Sequence, residues 1–386
     1  MDIEAQPITS VYSRLLLPVI ISAGAVGLSI GLIIPLTSIV MEQRGISVIA
    51  IGLNATMFSL AVLLTGPFLP SVIHRIGLLR TMTTGALLSG IFVFGLWIDD
   101  SLWFWYLMRF FLGITGGMHW VASEAWINVM APEHSRGRIV GAYATVWSMG
   151  IAVGPLLLNF IGVDGGRPFV ISGMLMGCAA LPLLLVPRAD NRHLPPVRYK
   201  VLQMLFVAPV ATMAGFICGF LETAVLSLLP VYGLRSGIET ASALILVSFF
   251  AVGSFVWQPI IGWVADKAAF KTVVMAVALV SVVVVPLVHV SLALPFLTGV
   301  LLFFWGGSVG AYYTLGMLNI GQVFKDTDLT AASSMFVMAY TLGMVVGPLW
   351  GSTAMQLFGP VGLLAVLGMV PLFFIPLVLR TGRKNI

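Results

Sequence analysis

Three ionisable residues stand inside long apolar stretches: Arg109 in RFFLGITGG, Glu124 in WVASEAW and Glu222 in GFICGFLETAVLSLLP. A charge at the centre of a bilayer costs about 2.5 to 3.5 kcal/mol on insertion scales, so such a residue is paired, faces a cavity, or does work. At about 100° per helical residue, Arg109, Gly113, Gly117, Trp120, Glu124 and Asn128 fall within an arc of roughly 100°. A face carrying a cation, an indole, a carboxylate and an amide is too polar for lipid and belongs inside a bundle. Arg109 and Glu124 lie about 22 Å apart along an ideal helix, so each needs its own partner. For Arg109, hydrogen bonding to neighbouring carbonyls and a part in coupling or substrate binding are both open. Glu124 reads as one member of a structural or gating ion pair with a loop arginine. Glu222 continues the face of Gly215 and Gly219 and is the deepest carboxylate in the chain. It can bind and release a proton, recognise a cation, or stay neutral and hydrogen-bonded. His119 and His289 are further candidates; His119 lies roughly 80° from Arg109 and reads as a packing residue.

The elements that position these groups follow from composition. The chain is 59% hydrophobic and 9% charged, with mean hydropathy +1.07, whereas soluble domains carry about 25% charged residues. Crossing a bilayer takes about 20 apolar residues in a helix. Twelve such runs are expected, at roughly 15–40, 47–70, 79–98, 102–128, 139–162, 168–187, 203–232, 240–264, 272–290, 292–318, 329–356 and 360–380. Helices are favoured over a barrel because the runs are long and continuously apolar. The polar start MDIEAQPITSVYSR, with no evident small-residue cleavage site after the first run, reads as a retained span.

Charge distribution gives an orientation. With loops numbered alternately, fifteen of the nineteen basic residues fall on one side, and only Arg44, Arg167 and Arg235 on the other. That asymmetry places both termini and the central loop in the cytoplasm. It also turns the net charge of +5 away from nucleic acid. Cys178 and Cys218 form no CxxC or disulfide framework.

The chain divides at residues 188–202, the longest polar stretch between runs, into a first half (1–187) and a second (203–386) of six runs each. A shift of 193 carries GIAVGPLLL onto GMVVGPLWG, matching Gly150, Gly154 and Pro155 with Gly343, Gly347 and Pro348. The same shift carries Gly113 and Gly117 onto Gly306 and Gly310. A shift of 192 relates HRIGLLR (74–80) to DKAAFKT (266–272). Duplicated six-helix halves with substrate handled between repeats are a transporter arrangement. The glycines let another backbone approach, and the proline sets a bend that neighbouring helices can satisfy.

On these residues the chain resembles the major facilitator superfamily across nearly its whole length. The family's loop signature Gly-x-x-x-Asp-Arg/Lys is matched by Gly262, Asp266 and Lys267. In the first half Arg75, Gly77 and Arg80 stand in place, but Pro70 and His74 replace the Gly and the Asp, so a first-half latch lacks its fixed negative charge. Arg109, Gly113 and Gly117 are similar to the element of the fourth span, and GIAVGP is similar to the Gly-x-x-x-Gly-Pro element associated with antiporters. WVASEAW with SRGR at 135–138 is similar to a poorly characterised bacterial subgroup. The resemblance implies twelve transmembrane helices in two pseudo-symmetric six-helix bundles. It places the first, fourth, seventh and tenth spans around a central pathway and adds Ser29, Trp120, Tyr312, Tyr313 and Asn319 as lining candidates, with interfacial anchoring or ordinary helix packing as the alternative for each.

The expected activity is secondary transport by alternating access, as proton-coupled export of small organic or amphipathic molecules. The alternatives are a proton-coupled importer and a non-transporting receptor or scaffold. No enzyme activity is expected: GxxxxGK[ST] and clusters with metal-ligand spacing are absent from the sequence. Neither cofactor nor metal is called for. The expected partners are a small-molecule substrate, protons and the lipid bilayer of a bacterial inner membrane, around a monomer.

Overall fold

The computed structural model describes residues 8–187, 208–324 and 326–381. The expected central loop, 188–202, lies outside them. The described residues are helical almost throughout. The first half holds α1 (Ile8–Gln43), α2 (Val48–Thr65), α3 (Leu69–Ile76), α4 (Leu78–Ile98), α5 (Leu102–Met130), α6 (Arg136–Ile161), α7 (Arg167–Cys178) and α8 (Ala180–Leu183). The second holds α9 (Pro209–Arg235), α10 (Thr240–Lys267), α11 (Phe270–Val290), α12 (Pro295–Val323), α13 (Asp326–Phe358) and α14 (Pro360–Thr381).

Among the described residues ten segments are long and apolar enough to cross a membrane, α2 and α3 counting as one, Val48–Ile76, through a 3-10 turn at Gly66–Phe68. The other two of the twelve are α5, whose stripe of Arg109 and Glu124 dilutes its apolar character, and the shorter Arg167–Leu183. The fold is therefore an all-α membrane fold of twelve spans.

The stretch HRIGLLR is hardly a loop. His74 and Arg75 close α3, Arg80 opens α4, and the joint is the single residue Gly77 at φ 85°, ψ 161°. Backbone of that kind is open essentially to glycine alone. Its second-half counterpart joins α10 to α11 through Ala268 and Ala269.

By contact the described chain forms two units. One holds α1 up to Ile33, Leu64–Gly154, and the chain from Asp164 to the end of the described first half. Here α1 packs on α6 through glycine: a methyl group at Gly27 would overlap the Trp147 carbonyl, and one at Gly154 would overlap the backbone of Gly31 and Leu32. Ser89 on α4 donates to Thr115 on α5 at 2.7 Å.

The other unit holds Ile34–Leu63, Pro155–Val163 and the described chain from Ala208 onward. The same contacts recur in it. A methyl at Gly219 on α9 would overlap the Tyr340 carbonyl on α13, and one at Gly343 or Gly347 would meet the backbone of Phe216 or Phe220. Ser281 on α11 and Ser308 on α12 are joined by a hydrogen bond of 2.7 Å. Thr115 and Ser308 are 193 residues apart, so the repeat seen in the glycines extends to a buried polar contact.

Candidate functional site

Glu222 lies on the face of α9 that Gly215 and Gly219 open toward α13. Because glycine brings the two backbones together, a carboxylate one turn further on meets the side chains of α13. The Tyr340 hydroxyl donates to Glu222 Oε2 at 2.9 Å, and the Cys218 thiol lies 3.9 Å from the same oxygen. Tyr340 also packs edge-on against Tyr313 of α12, with ring centroids 5.9 Å apart, and Tyr313 packs edge-on against Phe336 at 5.1 Å. Glu222, Tyr313 and Tyr340 are each partly exposed, whereas Phe336 is fully buried behind them. A partly exposed carboxylate held by a tyrosine hydroxyl and, more weakly, a thiol can exchange a proton, or accept a cation against the aromatic rings.

The remaining candidates fall in different surroundings. Arg109 is buried on α5, 3% exposed. Ser29 is fully buried and bonded to Ser172 of α7, hydroxyl to hydroxyl at 2.8 Å and to its carbonyl at 2.9 Å. Tyr312 is fully buried with its ring against Phe374 of α14 at 5.6 Å. In this conformation, then, Ser29 and Tyr312 serve helix packing, while Tyr313 one residue on reaches the Glu222 cluster. Asn319 is partly exposed further along α12. His119 is buried, and its Nε2 donates at 2.9 Å to Ser22, whose hydroxyl donates in turn to the Ala179 carbonyl at 2.7 Å.

Trp120 and Trp147 stack at 6.3 Å with 23° between ring planes, and both are partly exposed. Glu124, one turn beyond Trp120, is partly exposed too. Among the described residues no basic side chain pairs with it; the exposed Arg136 and Arg138 lie beyond ion-pair distance.

One interaction carries no local mark in the sequence. Arg235 at the end of α9 grips Glu42 at the end of α1 by two hydrogen bonds, Nε to Oε1 at 2.7 Å and Nη2 to Oε2 at 3.1 Å. The two positions are 193 residues apart, the period of the repeat. That spacing is the available clue in the sequence.

The chain as a whole is similar to known transporters. The profile of the Major Facilitator Superfamily matches residues 19–348. The chain belongs to the major facilitator superfamily. It is 29% identical over 339 residues, 86% of each chain, to YfkF of Bacillus subtilis, an uncharacterised transporter of the major facilitator type. It is 24% identical over 382 residues, 97% of this chain and 98% of the other, to YcaD of Salmonella typhimurium, described in the same words. The fold is also that of a bacterial homologue of the human lysosomal transporter Spinster (TM-score 0.76, 14% identity, 96% of each chain). It matches the nucleoside transporter NupG as well (TM-score 0.73, 12% identity, 95% of this chain and 99% of the other).

Membership gives the loop residues a frame. In this major facilitator protein Gly262 has room around it, an added methyl meeting only Thr314 at 3.9 Å. Lys267 lies over the ring of Trp263 on its own helix, 3.9 Å from the centroid. Asp266, Arg75 and Arg80 are exposed. Pro155 and Pro348 sit inside unbroken helices just beyond the paired glycines. There the close approach to α1 and to α9 holds the helix on either side of the missing hydrogen bond.

Proposed function

We propose that this protein is a proton-coupled secondary transporter that exports small organic or amphipathic molecules from the bacterial cytoplasm by alternating access, with Glu222 as the proton carrier. The observation that carries the reading is the Glu222–Tyr340 hydrogen bond at 2.9 Å, between two partly exposed side chains. Tyr340 can donate to the carboxylate and, as a hydroxyl, can also accept from the protonated acid. The side chain therefore keeps a partner in both protonation states. A carboxylate on one helix whose partner sits on another couples its protonation to the way α9 and α13 pack.

Export as the direction is supported by the Gly150-x-x-x-Gly154-Pro155 element, and the cytoplasmic placement of both termini by the bias of basic residues. The Glu42–Arg235 pair supports alternating access. It ties the ends of α1 and α9 in this conformation and has to open in one where those ends part. Comparing metabolites inside and outside cells with and without the protein identifies the substrate. Proteoliposomes with an imposed pH gradient then read direction and coupling. Export predicts that substrate moves against the inward flow of protons, and movement along with the protons would make the protein an importer.

A further inference from the structure

The repeat that relates the glycines also relates the aromatic residues of the two halves. Adding 193 to Trp120 gives Tyr313, to Tyr143 gives Phe336, and to Trp147 gives Tyr340. These are contacts as well as coincidences of number. Trp120 and Trp147 meet across α5 and α6 at 6.3 Å, and Tyr313 and Tyr340 meet across α12 and α13 at 5.9 Å. The Trp147 backbone lies against Gly27 and the Tyr340 backbone against Gly219, each glycine on the first helix of its half. Duplication has thus left one partly exposed aromatic pair in each half.

Each pair has also acquired a carboxylate, from a different place. In the second half Glu222 comes from α9 and is held by Tyr340. In the first half Glu124 comes from α5 itself, one turn past Trp120 and so on the same face. The Tyr143 hydroxyl shares its hydrogen bond with Ser123, at 2.9 Å, and so does not stand in for Tyr340 as a donor to Glu124. With tryptophan in place of tyrosine, this pair has no hydroxyl to offer a neutral hydrogen-bonding substrate. It offers two indole faces, the strongest cation–π partners among side chains.

We propose that Trp120, Trp147 and Glu124 form a second binding site, selective for lipophilic organic cations, within the first unit and separate from the Glu222 cluster. The proposal rests on the reading of the chain as a carrier of organic molecules and narrows the substrate class to cations bearing aromatic or alkyl groups. Three features carry it. A partly exposed carboxylate inside the apolar run has no basic partner among the described residues, so a ligand can supply the missing charge. The stacked indoles beside it favour a diffuse charge over a compact, strongly hydrated one. And the lone cation of the same stripe, Arg109, is about 22 Å away along an ideal helix, too far to neutralise the site.

The test is equilibrium dialysis of radiolabelled tetraphenylphosphonium against purified full-length protein carrying Glu222→Gln, so that the Glu222 cluster contributes no charge. Saturable binding is expected in that background. Adding Glu124→Gln or Trp120→Ala should weaken it roughly tenfold or more, and Trp120→Phe should keep most of it. Triphenylphosphine oxide, of similar shape but neutral, should not compete. Each variant is compared by gel-filtration profile and melting temperature, and Glu124→Gln, nearly isosteric, decides the outcome if Trp120→Ala does not fold. Binding unaffected by Glu124→Gln, or equal competition by the neutral compound, overturns the site. Absence of proton-driven transport by the native protein, with cation binding intact, would instead refute the coupled-carrier reading and leave the site standing.

Discussion

The Glu42–Arg235 pair allows a quantitative prediction about switching. Exposed ion pairs are worth about 0.2 to 1 kcal/mol in double-mutant cycles. This one is two-pronged, and its side chains are 16% and 32% exposed. Two-point charge-assisted geometry with partial burial places it at the upper end, about 1 kcal/mol. If the pair forms only while the ends of α1 and α9 are together, its loss shifts the balance toward separated ends about fivefold. Ser38 on α1 is 3% exposed and lies one turn before Glu42, so a cysteine there reports the separation. In a background with Cys178→Ser and Cys218→Ala, a membrane-impermeant maleimide should label Ser38→Cys about five times faster after Glu42→Gln or after Arg235→Gln. The double substitution should label no faster than either single one, because the same bond is broken. Additive effects of the two substitutions, or no effect of either, would show that the pair does not hold the ends together.

The paired glycines predict a separation of folding from transport. Gly154→Leu and Gly347→Leu push a side chain into the backbone of Gly31 and of Phe220 and should cost about 1 to 3 kcal/mol of packing. Membrane-fraction levels should fall modestly while proteoliposome transport is largely lost. At the joint between α3 and α4, Gly77→Ala places an L side chain at φ 85° and should cost about 1 to 3 kcal/mol. Gly262→Ala, with open space around it, should stay within about 0.5 kcal/mol; thermal melting in detergent distinguishes them. Ser308→Ala removes the bond to Ser281 and should lower stability by about 1 kcal/mol, again read by melting.

The span pattern and the duplication were legible because each depends on composition or spacing along one chain. Glycines at four-residue intervals announce close approach whichever neighbour they meet, and the structure supplies α1 and α9 as those neighbours. What spacing leaves open is how a helix is rotated toward a particular partner. Ser29 and Tyr312 sit on helices expected to line a pathway, yet both side chains turn into packing, toward Ser172 and Phe374. Tyr313, adjacent to Tyr312, points the other way for the same geometric reason, since consecutive helical residues differ by about 100°. The second-half pair Tyr313 and Tyr340 was present in the sequence as the echo of Trp120 and Trp147. Its meaning became visible only once Glu222 stood beside it. Glu42 carried no local signal beyond its 193-residue spacing from Arg235, because an ion pair between chain positions so far apart depends on the folded arrangement.

Whether Glu222 carries the proton that drives transport is tested by efflux of the substrate found by metabolite comparison. Efflux is followed in proteoliposomes with and without an imposed pH gradient, for the native protein and for Glu222→Gln. With Glu222 as the carrier, the gradient accelerates net transport by the native protein. Glu222→Gln then abolishes this acceleration while substrate exchange without a gradient continues. Full gradient dependence in Glu222→Gln would contradict that role.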